Sequence, residues 1–320
     1  MALTRRAMFL GLLAAGLHAR QASAKGLQVE GGLAFGSSWR VTTGGAVHLA
    51  AIRPKLEAVF RQVDEQMSPY RASSHLSVFN ESRGLFRQNM PPELCAVSGE
   101  ALRIAKLTDG AFDPTVGPLV SRFGFGPIRG GSGSFRQIEV APNTLRKALP
   151  DLTLDLCGIA KGFALDRAAE VLVAEGVSSA MIELGGEVKA LGRHPSGRDW
   201  VAAVSDPTAV GFQPYRLVTP FEQVLATSGH AANGVSGLVS TSHIIDTKRL
   251  RPASTELASV SVLASSGMEA DALATALCAS GAAQGIALAR RLDVSALFVV
   301  RSGHETSDVM TGRFADHVLI

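Results

Sequence analysis

An apolar helix that carries one carboxylate and one hydroxyl on the same face constrains this chain most. Residues 259–264 have the alternating, β-branched pattern of a strand, and Ser266 and Glu269 then fit a capping box that starts a helix. Within that helix Asp271 and Thr275 are four residues apart, so their side chains share one face. The segment therefore predicts a strand followed by a helix that presents two oxygen ligands side by side.

Two interpretations of the Asp271/Thr275 pair stay open on spacing alone. Mg²⁺ usually takes one or two carboxylates and completes its octahedron with water and phosphate oxygens, so the pair suits a magnesium site completed by a phosphorylated ligand. In the other interpretation Asp271 caps a neighbouring loop and Thr275 bonds back to a carbonyl of its own helix. Motifs elsewhere in the chain decide between them.

Six further segments occur in a fixed order along the chain: Met67-Ser-Pro-Tyr70-Arg-Ala-Ser-Ser-His-Leu76-Ser77-Val-Phe79-Asn80, Gly110-Ala111-Phe112-Asp113-Pro114-Thr115-Val-Gly-Pro118-Leu, Leu154-Asp155-Leu-Cys157-Gly158-Ile-Ala160-Lys161-Gly162-Phe163-Ala-Leu-Asp166, Glu183-Leu-Gly185-Gly186-Glu187-Val, Ala226-Thr227-Ser228-Gly229-His230 and His243-Ile244-Ile245-Asp246. With the Asp271/Thr275 helix, this series resembles the FAD:protein FMN transferase (ApbE) family over nearly all of the chain. Among its members we expect the nearest to be the exported accessory proteins of nitrous oxide reduction, the NosX-like branch.

The order of predicted elements favours an α+β fold. Helices are predicted over residues 53–67, 92–108 and 161–176, a strand over residues 151–156, and further strands mainly in the second half. Strand and helix do not alternate regularly, so a mostly antiparallel sheet is expected rather than a doubly wound fold. The resemblance implies two related α/β lobes of the T-fold-like ApbE type, with the flavin site between them.

The amino terminus has the features of an export signal. Arg5 and Arg6 directly precede an apolar run over residues 8–17, and Ala22-Ser-Ala24 offers a small-residue cleavage site. We therefore predict a twin-arginine signal peptide over residues 1–24, used by the twin-arginine export machinery, and a single two-lobed domain over residues 25–320 in the periplasm. An uncleaved amino-terminal anchor is the alternative.

Charge and cysteine usage narrow the function classes. The formal net charge is only +3, and no Lys/Arg stripe with interleaved aromatics occurs, so nucleic acid is not an expected partner. Cys95, Cys157 and Cys278 are widely separated and odd in number, which is atypical of a disulfide framework or a zinc site. Each is expected to be a small buried hydrophobe, and a disulfide between two of them in an oxidising compartment is the alternative.

The resemblance implies a complete magnesium site. It adds the backbone carbonyl of Gly158 to Asp271 and Thr275 as a third metal ligand. Lys161, at the start of a predicted helix, is placed to reach a phosphate or ribose oxygen while the helix amides favour negative charge. The alternative for Lys161 is a solvated first-turn lysine.

Four residues are implied at the nucleotide end of FAD. Asp155 matches a family residue that contacts adenosine, and Ala111, Phe112 and Asp113 match a segment that lines the nucleotide site. Without the resemblance, Asp155 is a capping or turn residue and Asp113 belongs to a turn set by Asp-Pro.

Four other residues are expected at the flavin end or beside the phosphates. Tyr70 and Phe35 can stack on the flavin ring. Ser228 is expected to touch flavin or phosphate from a loop, because no nucleophile-elbow pattern surrounds it. Ile245 completes the expected cofactor-binding set.

His243 is the expected acid/base residue. Imidazole can accept a proton from an attacking hydroxyl near neutral pH, and the family carries a histidine here. Two alternatives stay open, a structural histidine bonded to Asp246 and direct assistance of the proton transfer by Asp271.

Three functions fit these residues. The first is Mg²⁺-dependent transfer of FMN from FAD to a threonine or serine hydroxyl, with release of AMP. The acceptor would be an exported or membrane-bound flavoprotein with the motif Asp-x-x-Ser/Thr-Gly-Ala-Ser/Thr. The second is a periplasmic FAD pyrophosphatase that gives FMN and AMP, and the third is a flavin-binding protein without catalysis.

Overall fold

An antiparallel sheet organises the part of the chain that the computed structural model describes, residues 26–45, 47–131, 133–209, 211–230, 242–302 and 305–320. Strands and helices are numbered in chain order. Within the described residues this sheet has eight strands, each antiparallel to its neighbour. Their spatial order is β1 (Leu27–Ala34), β2 (Ser37–Gly44), β6 (Ala180–Leu184), β7 (Glu187–Leu191), β10 (Val224–Gly229), β13 (Leu257–Ala264), β14 (Ser295–Ser302) and β15 (Glu305–Thr311).

Small sheets and helices surround the large one. The remaining described strands are β3 (Phe86–Arg87), β4 (Ile138–Ala141) and β5 (Thr144–Lys147) in one sheet, β8 (Ala202–Ser205) with β9 (Pro214–Val218), and β11 (Ile245–Asp246) with β12 (Arg251–Pro252). The α-helices are α1 (Leu49–Met67), α2 (His75–Glu81), α3 (Pro92–Leu107), α4 (Gly117–Arg122), α5 (Ala160–Ala174), α6 (Gly267–Ser280) and α7 (Ala282–Arg291). Within the described ranges, every helix is too short or too polar to cross a membrane.

The central strands bury both of their faces. Successive side chains of a strand point to opposite faces, so one strand can serve two cores. On one face, strands β10, β13 and β14 pack with α1, α5 and α6 through residues such as Ala226, Val260 and Phe298. On the other face, Leu225 and Leu297 pack under β8 and β9. The helix-covered face is the one that carries the candidate site.

The main fold predictions are confirmed. The fold is mixed α and β with mostly antiparallel sheet, and the helices expected over residues 92–108 and 161–176 are present as α3 and α5. The division into two related lobes stays a prediction. The expected export signal over residues 1–24 lies outside the described residues.

The sheet opens with a hairpin that the sequence pattern did not predict. Strands β1 and β2 are joined by Phe35 and Gly36, whose φ angles are 54° and 72°. Two consecutive positive φ values are typical of a two-residue type I′ turn, which usually has Asn-Gly rather than Phe-Gly. The adjacent Gly31 and Gly32 further interrupt the alternation of β1, so the usual hairpin signals are missing.

The strand expected over residues 151–156 is wrong. Leu154 bonds through both its amide and its carbonyl to the side chain of Asn80, each at 2.8 Å. The Asp155 amide donates to the carbonyl of Pro114 at 2.7 Å. The backbone groups of this apolar segment are thus satisfied by a side-chain amide and a loop carbonyl instead of a neighbouring strand.

Candidate active site

The amino-terminal ends of α5 and α6 cross in direct backbone contact. A β-carbon on Gly162 would collide with the carbonyl of Gly267, and one on Gly267 would collide with the carbonyl of Gly162. Only glycine permits so close a crossing. Because the first amides of a helix lack carbonyl partners within the helix and its dipole is positive there, two such ends together favour a ligand with negative charge.

The two helices also cap each other with carboxylates. Asp271 Oδ2 on α6 accepts from the Gly162 amide of α5 at 3.1 Å. Asp166 Oδ2 on α5 accepts from the Gly267 amide of α6 at 2.7 Å. Each helix therefore provides the acceptor for the other's first turn.

The capping box expected at the start of α6 is only half right. Ser266 is the N-cap residue, but its side chain makes no capping bond. Glu269 instead pairs with Arg103 of α3 at 3.3 Å. The crossing brings Asp166 to the Gly267 amide, so a residue one hundred positions away takes the role that the local sequence assigns to Ser266.

The three predicted metal ligands lie together. Asp271 is 3% exposed, and Thr275 follows one turn later on α6. Thr275 Oγ1 lies 3.2 Å from Ser228 Oγ of β10. The Thr275 hydroxyl therefore bonds to the sheet, and not to a carbonyl of its own helix as the alternative interpretation expected. A β-carbon on Gly158 would lie 3.0 Å from Thr275 Oγ1. Carboxylate, hydroxyl and carbonyl oxygens are the hard donors that suit Mg²⁺.

Lys161 is paired rather than solvated. Its ammonium donates to Glu187 Oε1 at the start of β7, and Glu187 is 1% exposed. The other oxygen, Glu187 Oε2, is buried and has no hydrogen-bond partner in the described part of the chain. We call Lys161, Glu187 and Asp271 the charged floor of the site.

The electrostatics of the charged floor favour a cation. Burial raises the pKa of Asp271 and of Glu187 above their ordinary values, and the Lys161 ammonium opposes both shifts. Burial acts to lower the pKa of Lys161, but the carboxylates of Glu187 and Asp271 outweigh it and raise that pKa. Lys161 therefore stays charged beside two carboxyl groups. When both are ionised, the cluster carries one excess negative charge, which a divalent cation beside Asp271 would offset.

A second group of side chains lies beside the floor, and two of its members, Tyr70 and Cys157, are open to solvent. Tyr70 is 73% exposed, and its pKa is raised by partial burial and by the nearby Cys157 and Asp155. Asp155 Oδ1 accepts from the Cys157 amide at 2.9 Å, which is the turn role that the sequence left open. We call Tyr70, Asp155 and Cys157 the rim. The expectation that Cys157 is buried is wrong, because solvent reaches it, whereas Cys95 and Cys278 are buried.

The segment from Ala111 to Asp113 packs behind Gly158. Ala111 and Phe112 are buried, and the Phe112 ring would contact a β-carbon on Gly158 at 3.2 Å. Asp113 Oδ1 accepts from both the amide and the hydroxyl of Thr115, at 2.8 and 2.6 Å. Asp113 therefore makes the turn expected of it, while Phe112 supports the Gly158 backbone.

The surroundings of His243 disfavour the charged imidazolium. Burial lowers its pKa to about 4, with further lowering by His230 and by the positive charge of Lys161. Its Nδ1 is buried and has no partner among the described residues. Asp246 binds Arg249 at 2.8 Å and not His243, so the alternative of a histidine held by Asp246 is wrong.

Phe35 and Ile245 lie on different elements. Phe35 occupies the β1–β2 turn and packs edge-on against Phe60, with ring centroids 6.1 Å apart. Ser38, just beyond this turn, accepts from the Gly185 amide at 2.9 Å, which ties the turn to the β6–β7 connection. Ile245 is 3% exposed in β11, a strand that contacts α6.

Two residues of the site were not predicted as functional, Glu187 and Asp166. Both lie inside segments that carry the family resemblance, and that membership is their only signal in the sequence. Each depends on a partner distant in the chain, Lys161 for Glu187 and the Gly267 amide for Asp166. Local periodicity contains no information about such pairs.

Comparison with known proteins identifies the family. The model of the ApbE family matches residues 35–298. The FAD:protein FMN transferase of Vibrio cholerae is 33% identical over 273 residues, which is 81% of this chain and 82% of the relative. That of Haemophilus influenzae is 33% identical over 78% of each chain.

Solved structures agree. The flavin transferase ApbE from Vibrio cholerae superposes with a TM-score of 0.81 at 29% identity, covering 91% of this chain and 99% of that one. The apo flavinyl transferase ApbE from Pseudomonas stutzeri gives 0.80 at 30% identity, covering 91% and 96%. The antiparallel α+β architecture is thus that of the flavin transferases. The chain belongs to the ApbE family.

Proposed function

We propose that this protein is a Mg²⁺-dependent enzyme that transfers the FMN moiety of FAD to a threonine or serine hydroxyl of an acceptor protein and releases AMP. The observation that carries the proposal is the convergence of Asp271, Thr275 and Gly158 beside Lys161 at two helix amino termini. The names of the relatives, FAD:protein FMN transferases, support the same reaction.

The reaction is a phosphoryl transfer. The acceptor hydroxyl oxygen forms a bond to the phosphorus of the FMN half, and the bond from that phosphorus to the bridging oxygen breaks, leaving its electron pair on AMP. The hydroxyl proton passes to a base. Such a reaction needs neutralised phosphate charge, an in-line nucleophile and a proton acceptor.

The charged floor and the amino-terminal ends of α5 and α6 are proposed to neutralise the phosphate charge. Lys161 has a side chain that is 31% exposed, so its ammonium can bind a pyrophosphate oxygen while Glu187 holds it in place. The free amides of α5 and α6 add partial positive charge. Mg²⁺, held by Asp271, Thr275 and the Gly158 carbonyl, would supply further neutralisation of the pyrophosphate.

His243 is the proposed proton acceptor. A base must be unprotonated before it acts, and the lowered pKa of about 4 keeps this imidazole neutral at physiological pH. Its Nδ1 has no partner among the described residues, which leaves a nitrogen lone pair or N–H available there. Asp271 is proposed to act on the metal.

The rim and its surroundings are proposed to hold the two ends of FAD. Tyr70 is exposed and aromatic, which suits stacking on a ring system. Asp155 lies beside it and can accept hydrogen bonds from the adenosine ribose or base. The other proposed contacts are Ala111, Phe112 and Asp113 on the nucleotide side and Phe35, Ser228 and Ile245 at the flavin end or beside the phosphates.

The proposed location is the periplasm. Residues 1–24 have the twin-arginine pattern, so we propose export by the twin-arginine machinery. The acceptor is then a periplasm-facing flavoprotein with an Asp-x-x-Ser/Thr-Gly-Ala-Ser/Thr segment. The membrane flavoprotein that supports nitrous oxide reduction is a candidate of this kind, in keeping with a NosX-like branch.

One assay tests the proposal. The purified protein is incubated with FAD, Mg²⁺ and a domain that carries the acceptor motif, and AMP release and acceptor mass are followed together. We expect AMP and an acceptor heavier by one FMN, and a loss of roughly 10³-fold or more in Asp271→Ala because the metal and its charge neutralisation are lost. An acceptor variant with alanine at the hydroxyl position is the matched control.

The other outcomes separate the remaining functions. AMP and free FMN with an unmodified acceptor would indicate a pyrophosphatase, in which water replaces the hydroxyl. FAD binding without AMP would indicate a flavin-binding protein. Transfer that persists in EDTA would overturn the Mg²⁺ dependence alone.

A further inference from the structure

Asp166 is outside the proposed ligand set, yet it contacts the helix that carries two of the ligands. Its Oδ2 accepts from the Gly267 amide at 2.7 Å, and its Oδ1 lies 2.6 Å from Lys189 Nζ of β7. The Asp166 side chain is only 18% exposed and that of Lys189 only 14%. Both carboxylate oxygens are thus held by partners that are largely shielded from water.

The bond to Gly267 fixes the beginning of α6. Gly267 is the first residue of this helix, and Asp271 follows four residues later, one turn along. The Ser266 side chain does not cap the helix, so Asp166 provides the side-chain acceptor for its first turn. Movement of that turn would carry Asp271 away from the Gly162 amide, to which it is bonded at 3.1 Å.

Together with the backbone contact, this bond fixes the position of α6 relative to α5. Because Gly162 and Gly267 touch, the helices cannot approach more closely, and the two carboxylate–amide bonds prevent them from separating or sliding. The backbone contact therefore limits closer approach of the two helices, and the bonds of Asp166 and Asp271 limit their separation. Lys189 orients Asp166 from the sheet.

We propose that Asp166 is a positioning residue that sets the metal affinity of the site by holding Asp271 in register with Gly158. The inference rests on the proposed Mg²⁺-dependent function and adds a residue to it. Asp166 touches neither metal nor substrate. Its effect is exerted through the start of α6, in the way that groups bonded to a metal ligand's support commonly tune affinity.

The test measures metal binding directly. Mn²⁺ is titrated into the protein with FAD present and acceptor absent, and free Mn²⁺ is followed by electron paramagnetic resonance. In Asp166→Ala we expect the Mn²⁺ dissociation constant to rise about tenfold. The half-saturating Mg²⁺ concentration for transfer should rise equally, while kcat at saturating Mg²⁺ stays within about threefold. Asp166→Asn keeps an oxygen acceptor and should restore most of the affinity.

A matched control separates positioning from general stability. Asp308 pairs with Arg216 at 2.8 Å with similar exposure, 22% against 18% for Asp166, but joins β15 to β9 outside the site. Asp308→Asn should lower the melting temperature and leave the Mn²⁺ dissociation constant unchanged. If Asp166→Ala does not fold, Asp166→Ser takes its place, because its hydroxyl is too short to reach the Gly267 amide.

The outcomes distinguish the two levels of proposal. An unchanged Mn²⁺ dissociation constant in Asp166→Ala or Asp166→Ser, with Mg²⁺-dependent transfer intact in the unaltered protein, would overturn the positioning role alone. Equal losses in the Asn and Ala variants would also overturn it, since the retained acceptor would then be irrelevant. Transfer without any divalent ion in the unaltered protein would instead overturn the metal site and the positioning role together.

Discussion

The charged floor and the rim are neighbours built in different ways. Asp271 and Lys161 project from helices whose ends are locked by a glycine crossing, and Glu187 begins a central strand and is 1% exposed. The rim has an aromatic ring that is 73% exposed and a cysteine open to solvent. Groups that neutralise phosphate charge act best when fixed in advance, whereas groups that accept a large ring system must be reachable.

The first test of this comparison is His243, because it is shielded like the floor but its Nδ1 has no hydrogen-bond partner among the described residues. We expect His243→Gln to lower kcat by about 10²–10⁴-fold, the usual contribution of a general base. Since the base must be neutral and its pKa is about 4, transfer by the unaltered protein should show no loss from histidine protonation as the pH falls to about 5. The pH dependence of kcat/KM for FAD measures this.

Two results would contradict the assignment of His243. A fall in kcat/KM with a midpoint near the ordinary histidine pKa of about 6.5 that persists in Glu187→Gln would mean that the environment of His243 does not suppress its protonation, because the Glu187 carboxyl, whose pKa is raised to about 7, is then absent. A His243→Gln variant within a few-fold of the unaltered protein would place the base elsewhere. His230→Gln is the comparison variant, because His230 is also buried but is bonded to Ser242 at 2.6 Å.

The Lys161–Glu187 pair tests whether the floor serves chemistry or only stability. Lys161→Met should lower kcat/KM by about 10²–10³-fold, because a charge aimed at the pyrophosphate is lost. It should also lower the melting temperature, since Glu187 would be left buried without its partner. In the double variant Lys161→Met/Glu187→Gln the melting temperature should recover and the activity should not. Recovery of both would mean that the pair is structural.

Sequence patterns anticipated the proposed metal ligands better than the residues that pair with and support the site. Asp271 and Thr275 were found because residues at i and i+4 share a helix face, a rule that needs no tertiary information. Asp166 and Glu187 were missed because their partners are 101 and 26 positions away. The Ser266 cap failed for the same reason: its local signal was sound, but a helix crossing supplied a better placed carboxylate.

The errors in the predicted secondary structure have a similar origin. The β1–β2 hairpin was missed because Phe35 occupies a turn position that usually belongs to asparagine. Residues 151–156 were predicted as a strand because they are apolar, but the Asn80 amide takes the place of a strand partner. Both cases depend on one residue whose tertiary environment overrides the local pattern.

Cys157 gives the mildest and most local test of the rim. It is the exposed cysteine of the three, so iodoacetamide should label it alone in the folded protein. Desolvation of its thiol, together with the nearby Asp155, raises the pKa well above the ordinary value. Labelling should therefore be slow at neutral pH and accelerate as the pH rises, because the thiolate is the reactive form.

FAD should slow this labelling about tenfold if the rim contacts the nucleotide, since a bound ligand blocks access to the thiol. AMP and FMN, tested separately, show which half of FAD lies over Cys157. Protection by AMP would support the proposed adenosine contact of Asp155, which accepts from the Cys157 amide. Protection by FMN alone would reverse the proposed orientation of FAD along the rim, and labelling unaffected by FAD would remove the rim from the binding site.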